Sequence, residues 1–511
     1  MSTIVDAADA ARANWTALFD WQVDEASSTP LYQQVASVIR DKILDGVIPI
    51  GSRLPSTRVL TSRLNISRTT VITAYSQLLA DGYVVCRVGS GTYVAENAFE
   101  IGRHHGDVNG DVRGNEENAR RTLDERLSVR GRRYLAMNGD NLVLENVPFN
   151  TGMVRMDSRA AAQWQHIARR MLAVEPSRQG YYHPQGSLEL REAIVRYLSI
   201  ARGVKCNADQ VIAVAGSQQA IDLTIKVLLD PGDPVWVEEP GYAPTRLALE
   251  VAGTVVHPIG VDQQGMRVEA GILRAPDARA AFVTPSHQYP LGVQLSLERR
   301  KLLLDWASSS KGWIIEDDYD SEFRYDNSSL PPLKALDEHD CVIYIGSFSK
   351  VLLPAMRCGY MVVPPGLVPA FNAARFLTDR HSPVFLERVL TEFIARGHFV
   401  DNIGRMRTEY QRSRDYLVAL LKNDLGHVLD VEAPHRGLHL IAYLRNQLSD
   451  VVVAREAHKA GVVVRPISLL YSGSNPRSGL MFGFSGMSDT GMRTSVNRLV
   501  AVFERLGYPS R

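Results

Sequence analysis

Apolar residues recur at two different spacings along this chain, and the change between them divides it. In Leu31-Tyr32-Gln33-Gln34-Val35-Ala36-Ser37-Val38-Ile39-Arg40 they fall at helical spacing, and Gly46 supplies a stop. Ser56 is placed to cap a short helix ending near Leu64. Asn65-Ile66-Ser67 then makes a tight turn, and Ser67 caps a second helix from Arg68 to about Ala80. Beyond Gly82, residues 83–94 read as two short strands with a glycine-rich tip. From about residue 145 the pattern changes. Apolar runs at 211–215, 234–237, 280–283, 312–315 and 341–345 alternate with helical stretches, which predicts an α/β sheet, mostly parallel. Residues 97–144 are Gly- and charge-rich without periodicity and read as a flexible linker. The expected organisation is thus an extension (1–27), a small unit (28–96), the linker (97–144) and a large domain (145–511).

Composition adds limits rather than detail. A chain of 511 residues, 45% hydrophobic and 22% charged, is too long for one core and should fold as at least two domains. Its formal net charge of +1 neither demands nor excludes a polyanionic partner. Locally the balance shifts: residues 28–96 hold seven Lys+Arg against four acids, 7 − 4 = +3. The four cysteines are scattered, with no Cys-x-x-Cys pair, and the histidines form no metal-ligand spacing. That pattern predicts a reducing compartment and no metal. No signal peptide is visible, and no stretch approaches the ~20 apolar residues of a membrane helix. The expectation is a cytoplasmic protein without a membrane partner.

The small unit carries a DNA-binding signal. Two short helices joined by so short a turn form a helix-turn-helix. The second opens Ser67-Arg68-Thr69-Thr70, small polar donors plus a cation. A recognition helix needs that character where it meets phosphates and base edges in the major groove. The unit resembles the winged helix of the GntR regulator family through Arg53-Leu54-Pro55-Ser56-x-Arg58-x-Leu60, Ser67-Arg68-x-Thr70-Val71-x-x-Ala74-Tyr75 and Leu78-x-x-Asp81-Gly82-Tyr83. The resemblance implies double-stranded operator DNA as partner. Its contacts would come from Arg53, Ser56, Arg58, Ser67, Arg68, Thr69, Thr70, Tyr75 and the wing glycines Gly89 and Gly91. Arg58 and Arg68 are the expected base-edge or phosphate anchors, while Arg63 and Arg87 read as solvated.

In the large domain, four expected strand ends carry chemistry, and ligands of such sheets sit at the carboxyl ends of their strands. The apolar run 341–345 empties into Gly346-Ser347-Phe348-Ser349-Lys350, with Arg357 seven residues on. A lysine that forms a Schiff base needs a dry site that favours its neutral form. Hydroxyls and a guanidinium beside it suit a dianionic phosphate. This run resembles the Ser-x-Ser-Lys…Arg-x-Gly motif of fold-type I pyridoxal-phosphate enzymes, the aspartate aminotransferase class. Ala215-Gly216-Ser217-Gln218-Gln219-Ala220 opens a helix whose free N–H groups suit a phosphate. Glu238-Glu239-Pro240-Gly241-Tyr242 presents an aromatic that could stack on a flat ring. Ile314-Ile315-Glu316-Asp317-Asp318-Tyr319 ends in carboxylates and a phenol. A carboxylate facing a pyridine nitrogen keeps it protonated and makes the ring an electron sink.

Residues 145–511 are most similar to the aminotransferase-like domain of the MocR/GabR regulators. The runs Tyr182-His183-Pro184-Gln185-Gly186, Pro285-Ser286-His287-Gln288-Tyr289-Pro290-x-Gly292 and Glu316-Asp317-Asp318-Tyr319-Asp320-Ser321-Glu322-Phe323 look like that subfamily's signatures. The resemblance implies pyridoxal phosphate bound through Lys350, with Asp317 on the ring nitrogen, Tyr319 on the ring oxygen and Tyr242 stacked. Ser217, Gln218, Ser347, Ser349 and Arg357 would hold its phosphate. It also implies a small-molecule effector and a homodimer that can be domain-swapped.

The departures from working aminotransferases bear on function. Their Asn-Pro-x-Gly turn has an asparagine where this chain has Tyr289. Their Leu-Arg-Leu-x-Phe strand, which supplies a carboxylate-binding arginine, is Leu480-Met481-Phe482-Gly483-Phe484 here. The two arginines of regulators that sense γ-aminobutyrate are matched by Pro244 and Leu469, so that ligand is expected to be a poor effector. Arg246, Arg465 and Arg477 stay open as substitutes. No catalytic residue is assigned. The reading is a pyridoxal-phosphate-dependent transcription regulator sensing a small amine, an amino acid or the cofactor itself. The alternative is a working aminotransferase with an accessory DNA-binding domain.

Overall fold

A computed structural model describes residues 21–24, 27, 29–87, 90–96, 98, 126–137, 147–173, 180–326, 330–445, 448–473 and 476–508. Nearly all of the expected extension, most of the expected linker and Gly89 lie outside these residues. The chain forms two compact units, Met1–Arg126 and Leu127–Arg511.

The first unit has helices α1 (Leu31–Leu44), α2 (Thr57–Leu64) and α3 (Arg68–Ala80), followed by a hairpin of β1 (Val84–Arg87) and β2 (Gly91–Val94). Side-chain caps set the helix starts. Ser56 Oγ accepts from the Val59 N–H at 3.4 Å, and Ser67 Oγ from the Thr70 N–H at 3.1 Å. Asn65 ends α2 in a left-handed conformation, φ 54°, a residue type that tolerates it. Ile39, Ile43, Leu60, Val71, Ala74 and Leu78 are buried together, so the amphipathic faces of all three helices close on one core.

The second unit is built on an eight-stranded sheet. Its strands are β3 (Val211–Val214), β4 (Pro234–Glu239), β5 (Val255–Asp262), β6 (Gly265–Met266), β7 (Ala280–Val283), β8 (Trp313–Asp318), β9 (Val342–Ser347) and β10 (Gly359–Val362). Their order is β3-β10-β9-β8-β7-β4-β5-β6. The neighbours from β9 to β5 are parallel, whereas β10 is antiparallel to both β3 and β9. Strands β3, β7 and β9 are buried at every position, as a sheet covered on both faces requires. A smaller antiparallel sheet follows, of β11 (Leu429–Val431), β12 (His439–Leu444), β13 (Arg465–Pro466) and β14 (Gly479–Gly483), ordered β11-β12-β14-β13.

Two local readings of the sequence change. Strand β9 runs to Ser347 instead of breaking at Gly346, because Gly346 and Ser347 pair with Tyr360 and Gly359 of β10. A Cβ on Gly346 would collide with the Tyr360 ring, so this glycine permits strand pairing rather than ending it. The second change falls in the stretch read as linker. Helix Val129–Ala136 forms there, and Arg133 Nη1 donates to the carbonyls of Glu250 at 3.0 Å and Val251 at 3.3 Å. The helix buries none of its residues, so hydrophobic periodicity gave no sign of it.

Candidate cofactor site and nucleic-acid interface

The carboxyl ends of the parallel strands surround a cavity of about 300 Å³. Lys350, Asp317, Tyr319, Tyr242, Ser217 and Tyr289 all line it, so residues from four separate sequence motifs meet in one place. Lys350 Nζ donates to the Thr151 carbonyl at 3.3 Å. Burial pushes its amine below the ordinary lysine value, against the pull of Asp320. A lysine so placed has access to the neutral form a nucleophile needs.

The acidic end of β8 divides its work by strand alternation. Glu316 accepts the backbone N–H groups of Leu333 at 2.9 Å and Lys334 at 2.8 Å. Asp318 pairs with Arg202 at 2.7 Å and accepts from Tyr344 at 2.5 Å. Asp317 alone of the three lines the cavity, and its Oδ1 is buried without a hydrogen-bond partner. Burial, reinforced by Asp318 and Asp320, pushes its carboxyl up to about 7. A cationic N–H donor at this position would supply the missing partner.

At the other end, helix Ser217–Leu228 follows Gly216, whose φ of 109° is open to glycine, and has no side-chain cap. Its first N–H groups therefore remain available to an anion. Arg357, held at φ 46°, brings its guanidinium beside Gly216; a Cβ on that glycine would lie 3.4 Å from Nη2. Ser347 Oγ accepts the Ser349 N–H at 3.2 Å, while Ser349 Oγ and Gln218 Oε1 are buried without partners. An unpaired ring-nitrogen acceptor at one end and an open, cationic, hydroxyl-bearing turn at the other fit pyridoxal phosphate.

Three residues of this site had no assigned role in the sequence. His287 was noticed only as part of a signature. Its Nδ1 lies 3.0 Å from both Asp320 carboxylate oxygens and 2.9 Å from the Tyr319 hydroxyl. A carboxylate only accepts, so it selects the tautomer with hydrogen on Nδ1, and Tyr319 O is left to share that donor. The Tyr319 proton is then free to point into the cavity. His439 donates from Nε2 to the Pro290 carbonyl at 2.9 Å, and burial beside His287 pushes its pKa down to about 3. It lines the cavity as a neutral ring. Arg465 is the third. Of the three arginines left open, Arg246 pairs with Glu250 at 2.8 Å and Arg477 lies over the Tyr443 ring at 3.3 Å. Arg465, on β13, lines the cavity.

In the first unit, Arg53, Ser56, Arg58, Ser67, Arg68 and Thr69 are exposed and Thr70 is half-buried. Ser67 Oγ is also 2.8 Å from Thr70 Oγ1, so the two hydroxyls stand together at the start of α3. Gly91 sits against Arg53, whose Nε would be 2.9 Å from a Cβ there. Tyr75 requires a correction. It is buried, and its hydroxyl donates to the Pro55 carbonyl at 2.8 Å, which ties α3 to the segment before α2. It lies seven residues, two helical turns, beyond Arg68, at the depth of α3 where the helix packs on the core. Gly89 lies outside the described residues.

An α/β unit with a lysine–aspartate–tyrosine cofactor cavity, joined to a winged helix, defines a class, and comparison with known proteins specifies it. Residues 145–499 match the family "Aminotransferase class I and II", and residues 31–94 match "Bacterial regulatory proteins, gntR family". The chain is 34% identical to the "Probable rhizopine catabolism regulatory protein MocR" of Rhizobium meliloti, over 94% of this chain and 95% of that one. It is 28% identical to the pyridoxine biosynthesis transcriptional regulator PdxR of Corynebacterium glutamicum, over 91% and 94%. Among solved structures, a kynurenine aminotransferase of Pyrococcus horikoshii matches with TM-score 0.65 and 25% identity, covering 78% of this chain and 99% of that one.

The chain belongs to the MocR-type GntR-family regulators, which join a GntR winged helix to an aminotransferase class I and II domain. It is a pyridoxal-phosphate-dependent, DNA-binding transcription regulator. No helix among the described residues is long and apolar enough to cross a membrane.

Proposed function

We propose that the aminotransferase-like domain is the sensor of the regulator: a small primary amine entering the Lys350 cavity changes how the protein engages its operator. The observation that carries this reading is the convergence of Lys350, Asp317 and Tyr319 on one cavity in a chain that also carries exposed Arg58 and Arg68. Pyridoxal phosphate, when bound, supplies an aldehyde that condenses with primary amines and a ring that accepts electrons. Lys350 would hold it, Asp317 would meet its ring nitrogen, and Tyr319, with its oxygen engaged by His287, would donate a hydrogen bond to the ring oxygen. Tyr242 covers the ring face. Ser217, Gln218, Ser347, Ser349 and Arg357 hold the phosphate.

On the DNA side, Arg58 and Arg68 are the anchors, with Arg53, Ser56, Ser67, Thr69, Thr70 and Gly91 around them. The protein acts in the cytoplasm as a homodimer, which gives two winged helices for two half-sites and makes affinity depend on both together. Turnover as an aminotransferase is the second reading. Tyr289 and Met481, where working enzymes have asparagine and arginine, favour sensing over turnover.

Lys350→Ala tests the sensor directly. The variant should still bind the operator in a salt-sensitive way but lose every response to pyridoxal phosphate and amines in a gel-shift titration. A Lys350→Ala protein that responds as the wild type does would overturn the proposal.

A further inference from the structure

The large domain has a further cavity, of about 360 Å³, that shares no lining residue with the cofactor site. It lies among helix Leu188–Arg202, the start of helix His398–Leu425 and the segment that follows β8. That segment serves both cavities. Asp317, Tyr319 and Asp320 line the cofactor site, whereas Ser321, Glu322 and Arg324 line the other. Part of the lining is apolar, from Ile394, Val400 and Ile403, and Ile200 joins them although it is 88% exposed.

The cations of this cavity are unequally committed. Arg202 pairs with Asp318 at 2.7 Å, and Arg196 with Glu192 at 3.7 Å. Arg324 and Arg407, both half-buried, have no ion pair among the described residues. Arg407 donates from Nε to the Glu322 carbonyl at 3.0 Å, which leaves its two terminal nitrogens unengaged. The Arg324 side chain makes no hydrogen bond among the described residues. Burial, and then the charges of Arg202, Arg407 and Arg436, push its guanidinium below the ordinary arginine value, against the pull of Asp326. Two such guanidinia without an anion between them form an incomplete charge cluster. Glu322 is the one acid that lines the cavity. Its Oε1 accepts from the Tyr197 hydroxyl at 2.8 Å, and its Oε2 is buried without a partner. Burial pushes this carboxyl up to about 7, and its protonated form is a donor rather than a repelling charge.

We propose that this cavity binds a small phosphate monoester with an apolar body, independently of the cofactor. Arg324 and Arg407 would take the phosphate, and Ile200, Val400 and Ile403 would cover the rest of the molecule. Two guanidinia match the two charges of a phosphate monoester, and each planar fork matches a pair of its oxygens. A cavity of about 360 Å³ is near the low end for ligand pockets, which restricts the body to a single ring or a short chain.

The test is isothermal titration calorimetry on the full chain saturated with pyridoxal phosphate, so that the cofactor's own phosphate subsite is filled. The probes are phenyl phosphate, phenol and inorganic phosphate. The wild type should bind phenyl phosphate about 10- to 100-fold more tightly than either fragment, the range of a charge-assisted contact, with the cofactor's absorption unchanged. Arg324→Gln and Arg407→Gln should each weaken phenyl phosphate about 10-fold or more and leave phenol as it was. Ile200→Asp places a negative charge at a position already 88% exposed. It should also weaken phenyl phosphate, and it guards against an arginine variant that folds poorly. Phenyl phosphate binding no more tightly than its fragments, or wild-type affinity in any of the three variants, would overturn the site. So would a loss of cofactor absorption during the titration, which would put the probe in the Lys350 cavity.

Discussion

At the residue scale, the strand end Glu316-Asp317-Asp318 shows how three chemically equivalent side chains acquire different roles. Asp318 has Arg202 and Tyr344, Glu316 has two backbone N–H groups, and Asp317 has a cavity. Asp317 is therefore the one acid of the run poised for a ligand. Burial first, then the neighbouring carboxylates, push it up from the ordinary aspartate range to about 7. A carboxyl whose folded value is raised stabilises the fold fully below its unfolded value and loses that contribution as pH rises through the folded one. The cofactor-free protein should thus lose thermal stability between about pH 4 and 7. Glu238, Glu316 and Glu322, also pushed up to about 7 by burial, add to the same trend. Asp317→Asn should flatten the pH profile of the melting temperature in part, and pyridoxal phosphate should flatten the wild-type profile. A profile unchanged by both would contradict the placement of Asp317.

At the scale of elements, helix α3 has a structural body, packed on the core, and an exposed start that carries the expected DNA contacts. Tyr75 is buried in the first and Arg68 is exposed in the second. Tyr75→Phe removes one buried hydrogen bond, which should cost about 1 kcal/mol. In a unit of this size that lowers the melting temperature by roughly 4–8 °C and leaves operator preference unchanged. Arg58→Ala and Arg68→Ala should do the reverse, weakening operator binding by ~1–3 kcal/mol with little effect on melting. Fluorescence anisotropy and thermal melts on the three variants separate the two roles, and a loss of sequence preference in Tyr75→Phe would return that residue to the interface. Much of this was legible in the sequence, because caps, turns and strand-end motifs are local signals. Ser56, Ser67, Lys350 and Asp317 each stand where a local pattern placed them. The burial of Tyr75 was not legible, because family position does not tell how deeply a helix residue is packed. The helix Val129–Ala136 was invisible because it buries no apolar stripe. His287, His439 and Arg465 were unassigned because their neighbours come from distant segments. His287 meets Tyr319 across 32 residues, and Arg465 finds its position through pairing with β14.

At the scale of the whole molecule, a winged helix and a cofactor cavity in one chain make sense if the second governs the first. A ligand shifts a regulator only through different affinities for its states, so cofactor and DNA binding must be thermodynamically coupled. The most direct test of that coupling is the affinity of the full chain for the DNA upstream of its own gene. It should be measured by fluorescence anisotropy with and without saturating pyridoxal phosphate, at two salt concentrations. A coupling of ordinary size changes the affinity about 5- to 150-fold, while the salt dependence of both forms reports phosphate contacts by the winged helix. The account predicts such a change in wild type and none in Lys350→Ala. Identical affinities with and without the cofactor, together with steady turnover of an amino donor and a keto acid, would contradict it and point to an enzyme instead.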